Sequence, residues 1–193
     1  MYIPKNFEVT DNETLFAFIR ANGFGQLVST VEGRLYSSHI PFLLSSDKDY
    51  LICHIAKNNP QWNGIEGQEV LITFQGPHDY ISPSWYTSPG VPTWNYQAVH
   101  IYGSAELITD VEGLKEIVDA ITKRYESSFE HPWSPEYKQA LLQAIVGIKV
   151  KITEIQGKFK LSQNRSASDR MKITRALESN GATQLAEAMK AEL

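Results

Sequence analysis

Residues 70–102, VLITFQGPHDYISPSWYTSPGVPTWNYQAVHIY, decide how this chain folds. An apolar β-type run opens the segment at VLITF, and another closes it at AVHIY. Four of the nine prolines and two of the four tryptophans of the chain lie between these runs. Long irregular segments inside compact domains are usually functional or disordered, and large aromatic rings disfavour a solvated linker. The segment is therefore predicted to hold a packed loop that helps to build a site.

On both sides of this loop the chain shows short apolar runs and alternation with a period of two, which are typical of β-strands. Glu32 and Gly33 predict a tight hairpin, because Gly permits the positive φ that such a turn needs. Pro41 favours a sheet edge or a bulge. The predicted strands cover residues 26–31, 35–44, 50–55, 70–74, 97–108 and 148–155. Their mostly antiparallel succession predicts a mainly β fold, a small barrel with added helices.

Helix signals flank the predicted strands. Thr10 followed by Glu13 matches a capping box, and Ser134 before Pro135 is a typical pair of N-cap and first helical residue. Positions of 3.6-residue period follow each start. The predicted helix starts are Thr10, Asp110, Ser134 and Ser166, and the predicted stops are Gly23, Gly147 and Gly181.

Composition limits the class of protein. The 193 residues carry a net charge of −4 and 42% hydrophobic residues, which is ordinary for a soluble globular protein. Nucleic-acid binders more often show a basic domain or stripe, so the acidic balance does not support DNA binding. The single Cys53 excludes an internal disulfide and fits a reducing compartment. Neither a signal peptide nor an apolar membrane span is recognisable, and a cytoplasmic location is expected.

Several kinds of catalytic site have no support in the sequence. One cysteine and dispersed histidines do not form a zinc motif, so no metal site is predicted. His39, His54 and His100 lie on predicted strands, where the commoner role of a histidine is structural. No nucleophile elbow, dinucleotide fingerprint or Walker motif occurs. The catalytic residues of any enzyme activity therefore stay unknown.

The remaining candidates are aromatic, amide and cationic residues that suit a phosphorylated planar ligand. Tryptophan and tyrosine rings present flat surfaces, while Lys and Arg neutralise phosphate. The alternative is that the rings are core or interface packing and that the lysines are solvated. The rings in question are Trp62, Trp85, Tyr86, Trp94 and Tyr96; the cations are Lys57, Lys158, Lys160 and Arg165; and the hydrogen-bonding residues are Ser37, Ser38 and Asn58.

Four blocks of the chain resemble one family when they are placed end to end: GRLYSSHIPFLL, HIAKNNPQW, FQGPHDYISPSWY with VPTWNYQAVHIYG, and IVGIKVKITEIQGKFKLSQNRSASDR. The chain is similar over nearly its full length to the PaiB-like FMN-binding negative transcriptional regulators. The resemblance implies a split β-barrel of the pyridoxamine-phosphate-oxidase-like type, FMN as cofactor, and a homodimer with clefts between protomers. It also implies negative regulation of genes for extracellular proteases and sporulation.

The resemblance also implies where the cofactor binds. In related split barrels, phosphate contacts come from the second strand, from the turn after the third and from cations near the interface. This chain has LYSSHIPF in place of the arginine-rich phosphate strand of the oxidases. The implied FMN-binding residues are Ser37, Ser38, His39, Lys57, Asn58, Trp85, Trp94, Lys158, Lys160, Gln163, Asn164 and Arg165.

Three functional hypotheses stay open at this stage. The first is an FMN-binding split-barrel regulator, with residues 1–165 as the barrel with inserted helices and residues 166–193 as a helical tail packed on or beside it. The second is a flavin-dependent oxidoreductase that uses reduced FMN. The third is direct DNA binding through the basic C-terminal segment, for which a solvated helix face is the simpler explanation because acidic residues are interleaved there.

Overall fold

The computed structural model describes residues 1–192, without the side chain of Gln139; Leu193, the last residue of the predicted tail, lies outside the described residues. Within that range the chain forms eight β-strands and five α-helices. These are β1 Glu8–Val9, α1 Asn12–Ala21, β2 Phe24–Val31, β3 Arg34–Pro41, β4 Leu43–Leu44, β5 Tyr50–Ala56, β6 Glu69–Ile81, β7 Thr93–Ile108, α2 Val111–Glu126, α3 Gln139–Leu142, β8 Ile145–Lys160, α4 Ala167–Ser179 and α5 Thr183–Lys190.

The strands form one sheet with the order β3-β2-β6-β7-β8-β5-β4, and β1 pairs with β8. Strands β2 and β3 are an antiparallel hairpin. Glu32 and Gly33 connect them with φ angles of 49° and 78°, which are the left-handed values that a two-residue hairpin turn requires. Strand β3 ends at Pro41 and lies at the sheet edge. The predicted hairpin and edge position are confirmed.

The central loop is much shorter than the sequence predicts. The irregular segment was expected to run from the end of VLITF to Gln97, but strand β6 continues to Ile81 and β7 begins at Thr93. Their side chains alternate between buried and exposed environments, so Pro and aromatic residues sit on a half-buried sheet surface. Only residues 82–92 connect the two strands, with a 3-10 turn at Pro83–Trp85.

Two helix predictions need correction. Helix α1 is capped by Asp11, not Thr10, because the Asp11 carboxylate accepts the backbone N–H of Thr14 at 3.0 Å. The helix predicted from Ser134 to Gly147 is reduced to α3, since Ile145 and Gly147 already belong to β8. A Cβ on Gly147 would lie 2.5 Å from Ile117 Cδ1, so this glycine admits the close packing of α2 rather than ending a helix.

The last strand is longer than predicted, because the predicted strand ends at residue 155 whereas β8 continues through GKFK. Residues 156–160 extend β8, and Lys158 pairs with Glu8 of β1. Lys158 is only 9% exposed. The later signals are confirmed: Ser166 caps α4 by accepting the N–H of Asp169 at 3.1 Å, and α4 ends before Asn180 and Gly181.

The described chain forms two compact units. The first unit comprises residues 1–15, 75–99 and the chain from 156 onwards; the second comprises residues 16–74 and 100–155. In the first, the packed faces of α4 and α5 bury Ile173, Leu177 and Met189. In the second unit, the side chains of β5 alternate between buried and partly exposed positions.

On β5, Leu51, Cys53 and Ile55 are buried on one face while His54 lies on the other. Each fully buried aliphatic side chain contributes on the order of 1.5–3 kcal/mol. Cys53 is fully buried and is a core side chain, and this burial raises the pKa of its thiol far above the ordinary value.

Candidate functional site

A groove in the second unit forms a cavity. It is lined by β3, by β5, by the turn after β5 and by the start of β8, and its volume is about 460 Å³. This volume is in the range of small-molecule sites, about 300–1,000 Å³. We call it the His54 groove; its lining residues are Ser38, His39, Ile40, Pro41, His54, Ile55, Ala56, Asn59 and Ile145.

A polar network fixes one wall of the His54 groove. The Asn59 side-chain amide donates to Ser38 Oγ at 2.8 Å, and Asn59 Oδ1 accepts the N–H of Gln61 at 3.0 Å. Gln61 is fully buried, and its Nε2 donates to Leu27 O at 2.9 Å and to Ser29 Oγ at 3.0 Å. Asn59 is thus positioned by a turn that is itself joined to the sheet.

His54 presents an uncommitted polar atom in the same groove. Its Nδ1 is buried and has no hydrogen-bond partner among the described residues. Burial lowers the pKa of this imidazole, so the neutral ring, with one donor and one acceptor nitrogen, is favoured at neutral pH. A buried polar atom without a partner is costly.

The predicted residues of the second unit have different environments. Ser38 and His39 line the groove, and the His39 ring stacks on Phe24 with 6.3 Å between centroids. Ser37 precedes them on β3 and is exposed. Lys57 follows the lining residue Ala56, and its ammonium is 3.5 Å from Gln143 O. Asn58 is exposed next to Lys57.

The second cavity belongs to the first unit and has a volume of about 120 Å³. We call it the Lys160 pocket. It is built by the end of the central loop, the start of β7 and the turn after β8. Its lining residues are Tyr86, Val91, Thr93, Asn95, Lys160, Ser162, Asn164 and Arg165.

The cations of the Lys160 pocket are held by neutral groups. The Lys160 ammonium donates to Thr93 Oγ1 and, at 2.6 Å, to Trp94 O. Burial, with a further contribution from Lys158, lowers the pKa of Lys160. The Arg165 guanidinium lies over the Tyr86 ring at 4.3 Å and donates to Pro89 O at 3.2 Å.

Other predicted residues of the first unit lie outside this pocket. Trp85 ends a 3-10 turn, and Trp94 is 53% exposed, with the Tyr80 ring 6.2 Å away. Lys158 donates to Tyr2 O at 3.0 Å. The Gln163 side chain accepts the N–H of Leu161 and donates to Phe159 O, so it bonds the backbone of its own turn.

The structure therefore groups the predicted residues in two sets. Ser38 and His39 share the His54 groove, whereas Lys160, Asn164 and Arg165 share the Lys160 pocket. The sequence does not identify Asn59 as a site residue. It favours a structural role for His54, and both residues line the groove. The Asn-Pro pair at 59–60 was a usable signal, because an Asn before a Pro commonly caps a short helical turn.

Comparisons with known proteins identify relatives over the whole length. Residues 1–154 match the model of an FMN-binding domain family, FMN_bind_2. The chain is 43% identical to the Protease synthase and sporulation protein PAI 2 of Bacillus subtilis, over 100% of this chain and 98% of that protein. No helix within residues 1–192 is long and apolar enough to cross a membrane.

Two solved structures show the same fold at low identity. The flavocytochrome Anf3 from Azotobacter vinelandii is 17% identical with a TM-score of 0.68, covering 88% of this chain and 78% of that one. The FAD- and haem-binding protein from Mycobacterium smegmatis is 14% identical with a TM-score of 0.67, covering 85% and 78%. The mainly antiparallel sheet with added helices is a split barrel, as predicted. The chain belongs to the FMN-binding domain family, whose cofactor is FMN.

Proposed function

We propose that this protein is an FMN-binding negative transcriptional regulator of the PaiB type, and that the His54 groove is the seat of its flavin. The observation that carries the proposal is the match to an FMN-binding family over residues 1–154, which includes every residue lining the groove. The 43% identity to PAI 2 supports the regulatory part.

The residues of the His54 groove fit part of the chemistry of FMN. Ser38 and Asn59, which line the groove, offer hydroxyl and amide groups. Ile40, Pro41 and Ile55 supply apolar surface for a ring system. Lys57, one residue beyond the lining, supplies positive charge for a phosphate. When bound, FMN would supply redox chemistry, and the protein residues would orient it.

The proposal includes a homodimer. Strand β3 is a sheet edge, and exposed edges are places where another chain can pair or pack. Leu35 on this strand and Phe24 on its neighbour are 81% and 63% exposed. Light scattering of the purified protein should give twice the monomer mass; a monomeric mass at micromolar concentration would contradict the dimer.

The flavin site is tested by titrating FMN into flavin-free protein and following flavin fluorescence. Asn59→Ala removes an amide that the groove would offer to FMN, and the loss of one hydrogen bond between protein and ligand costs about 1 kcal/mol, or roughly fivefold in Kd. Asn63→Ala, at an exposed residue after the same turn, is the matched control. Equal FMN affinity for wild type and Asn59→Ala would place the flavin outside the groove, and no binding at all would contradict the cofactor assignment for this chain.

The regulatory role needs a test in cells. We expect the chain, expressed in Bacillus subtilis lacking PAI 2, to reduce secreted protease activity to the level of the parent strain. The Asn59→Ala variant, expressed to the same level, should restore repression less well if flavin is needed for it. Full protein expression without any change in protease activity would contradict the regulatory proposal while leaving FMN binding intact.

A further inference from the structure

Trp62 makes a hydrogen bond that the His54 groove alone does not explain. We infer that Trp62 is a positioning residue of the flavin site, because it fixes the main chain of Lys57 and so directs this cation toward the phosphate of FMN. The inference rests on the proposed function, in which Lys57 supplies positive charge for the phosphate. It adds to that site a residue that lies outside the groove lining.

The side chain of Trp62 is committed to the protein and does not form a wall of the groove. Trp62 is absent from the described residues that line the groove. Its indole N–H is the one polar group of the side chain, and it donates to Lys57 O at 2.9 Å. The ring is half-buried and ends the 3-10 turn Pro60–Trp62. This arrangement favours a structural bond back to residue 57 over a flat surface for a planar ligand.

Both main-chain groups of Lys57 are held. Strand β5 ends at Ala56, so Lys57 is the first residue beyond the strand. Its N–H donates to Ala144 O at 2.8 Å, just before β8 begins, and its C=O accepts the indole N–H of Trp62. A main chain that is fixed on both sides determines the direction in which the long Lys side chain leaves the turn.

The turn that carries Trp62 is itself anchored. Asn59 Oδ1 accepts the N–H of Gln61 at 3.0 Å. Gln61 is fully buried, and its amide donates to Leu27 O of β2 at 2.9 Å. Trp62 therefore follows a residue that is bonded to the sheet. A Lys side chain has considerable rotamer entropy, and fixing its main chain before the ligand arrives lowers the entropic cost of binding.

Lys57 provides the charge that the groove lacks. The described lining contains no Lys or Arg, and Lys57 lies in the sequence between the lining residues Ala56 and Asn59. Its ammonium is 3.5 Å from Gln143 O, which is too long for a strong hydrogen bond. Because the attraction between an ammonium and a phosphate depends on their separation, a shift of the Lys57 main chain should change the affinity for the phosphate and not for the ring.

The test compares FMN with riboflavin, which has the same ring system without the phosphate. Flavin-free protein is titrated with each ligand, and flavin fluorescence gives Kd. Lys57→Gln removes the charge and should raise the Kd for FMN about tenfold or more. Trp62→Phe keeps an aromatic ring but removes the N–H, and should raise the Kd for FMN about two- to fivefold. Neither variant should change the Kd for riboflavin by more than about twofold.

A double variant separates positioning from general stability. Once Lys57→Gln has removed the charge, nothing is left to position, so adding Trp62→Phe should have no further effect on the Kd for FMN. Trp133→Phe and Lys123→Gln make the same changes at exposed positions of the second unit and should leave both affinities unchanged. If Trp62→Phe does not fold, Trp62→Leu, which also lacks the N–H, takes its place with the same expectations.

A loss of FMN affinity in Trp62→Phe that spares riboflavin and disappears in the double variant supports the inference. Equal losses for the two ligands, a loss that persists without the Lys57 charge, or an FMN affinity equal to that of wild type overturns it. FMN binding that Lys57→Gln leaves unchanged overturns it as well, while the flavin site in the groove stands. A wild-type protein that binds no FMN contradicts the proposed function and this inference with it.

Discussion

The His54 groove and the Lys160 pocket differ in volume and in charge, and therefore suit different ligands. The groove is nearly four times larger, and its lining within the described residues contains no Lys or Arg. Its polar groups include a histidine nitrogen without a partner. The pocket is small and contains two cations whose hydrogen bonds go to hydroxyl and carbonyl groups. One cavity therefore suits an extended neutral ring, and the other suits a compact charge.

The difference follows from the backbone that builds each cavity. The groove has strand walls, where alternation fills one face with core residues such as Cys53 and leaves His54 on the other. The pocket is closed by loops and turns, including Ser162 with a φ of 63°. The backbone of a turn is short and irregular, and here it brings Lys160 and Arg165, which have four residues between them, to the same pocket.

We expect the largest effect on stability from a substitution of Gln61, which supports one wall of the His54 groove. Gln61→Ala leaves Leu27 O and Ser29 Oγ without their buried donor, and an unsatisfied buried acceptor costs about 1–3 kcal/mol. We expect the free energy of unfolding to fall by about 2–3 kcal/mol and FMN binding to weaken. Urea unfolding at constant m-value measures the first effect.

Gln68→Ala is the matched control, because its amide also donates to a strand carbonyl, Thr30 O at 3.1 Å, but in an exposed position. Its cost should stay below about 1 kcal/mol. Equal destabilisation by the two variants would show that burial of Gln61 is not what stabilises the groove wall.

We expect the second largest effect on stability from a substitution of Asp169, which holds the loop that borders the Lys160 pocket. Asp169 is a buried carboxylate on α4 that accepts from Thr87 N at 2.7 Å, Thr87 Oγ1 at 2.5 Å and Ser88 Oγ at 2.7 Å. These hydrogen bonds hold the pKa of the Asp169 carboxyl far below its usual range. Asp169→Asn should lower Tm at neutral pH and expose residues 86–92 to proteolysis.

The pH dependence of Asp169 has a defined sign. A depressed folded-state pKa contributes stability above the unfolded value of about 3.9, and this stability is lost as pH falls below it. The Tm difference between wild type and Asp169→Asn should therefore be largest near pH 7 and shrink below about pH 4. Glu187→Gln, an exposed charge on α5, is the control. A Tm difference that is constant over this range would contradict the role of the carboxylate.

The sequence predicted the local parts of both regions better than their assembly. The hairpin at Glu32–Gly33 and the cap at Ser166 depend on neighbouring residues, so short-range patterns were sufficient. The extension of β8 through Lys158 depends on pairing with β1 across about 150 residues of chain, which no local pattern encodes. For the same reason, the family blocks supply candidate residues without their surroundings, such as Ser38 and His39 in the His54 groove and Lys160 in the Lys160 pocket.

A smaller expected effect, on the pH dependence of stability, tests whether the His54 ring in the groove is buried and uncharged. Because burial lowers the pKa of His54, the unfolded chain takes up a proton more readily than the folded one at pH values just below about 6.5. Stability should therefore rise with pH through that window. His100 contributes with the same sign. His54→Gln should reduce this slope, whereas His131→Gln, at an exposed position, should not. An unchanged slope in His54→Gln would mean that its ring is not buried in solution.

The smallest expected effect tests whether Trp94 contributes to flavin binding. The family resemblance makes Trp94 a wall of the flavin site, and its ring is exposed beside His78 and Tyr80 in the first unit. Aromatic pairs contribute about 0.5–1.5 kcal/mol, so Trp94→Leu should raise the Kd for FMN by roughly two- to tenfold. Trp133→Leu, at an equally exposed ring in the second unit, is the control. Unchanged FMN affinity in Trp94→Leu would contradict a role of this ring in the flavin site.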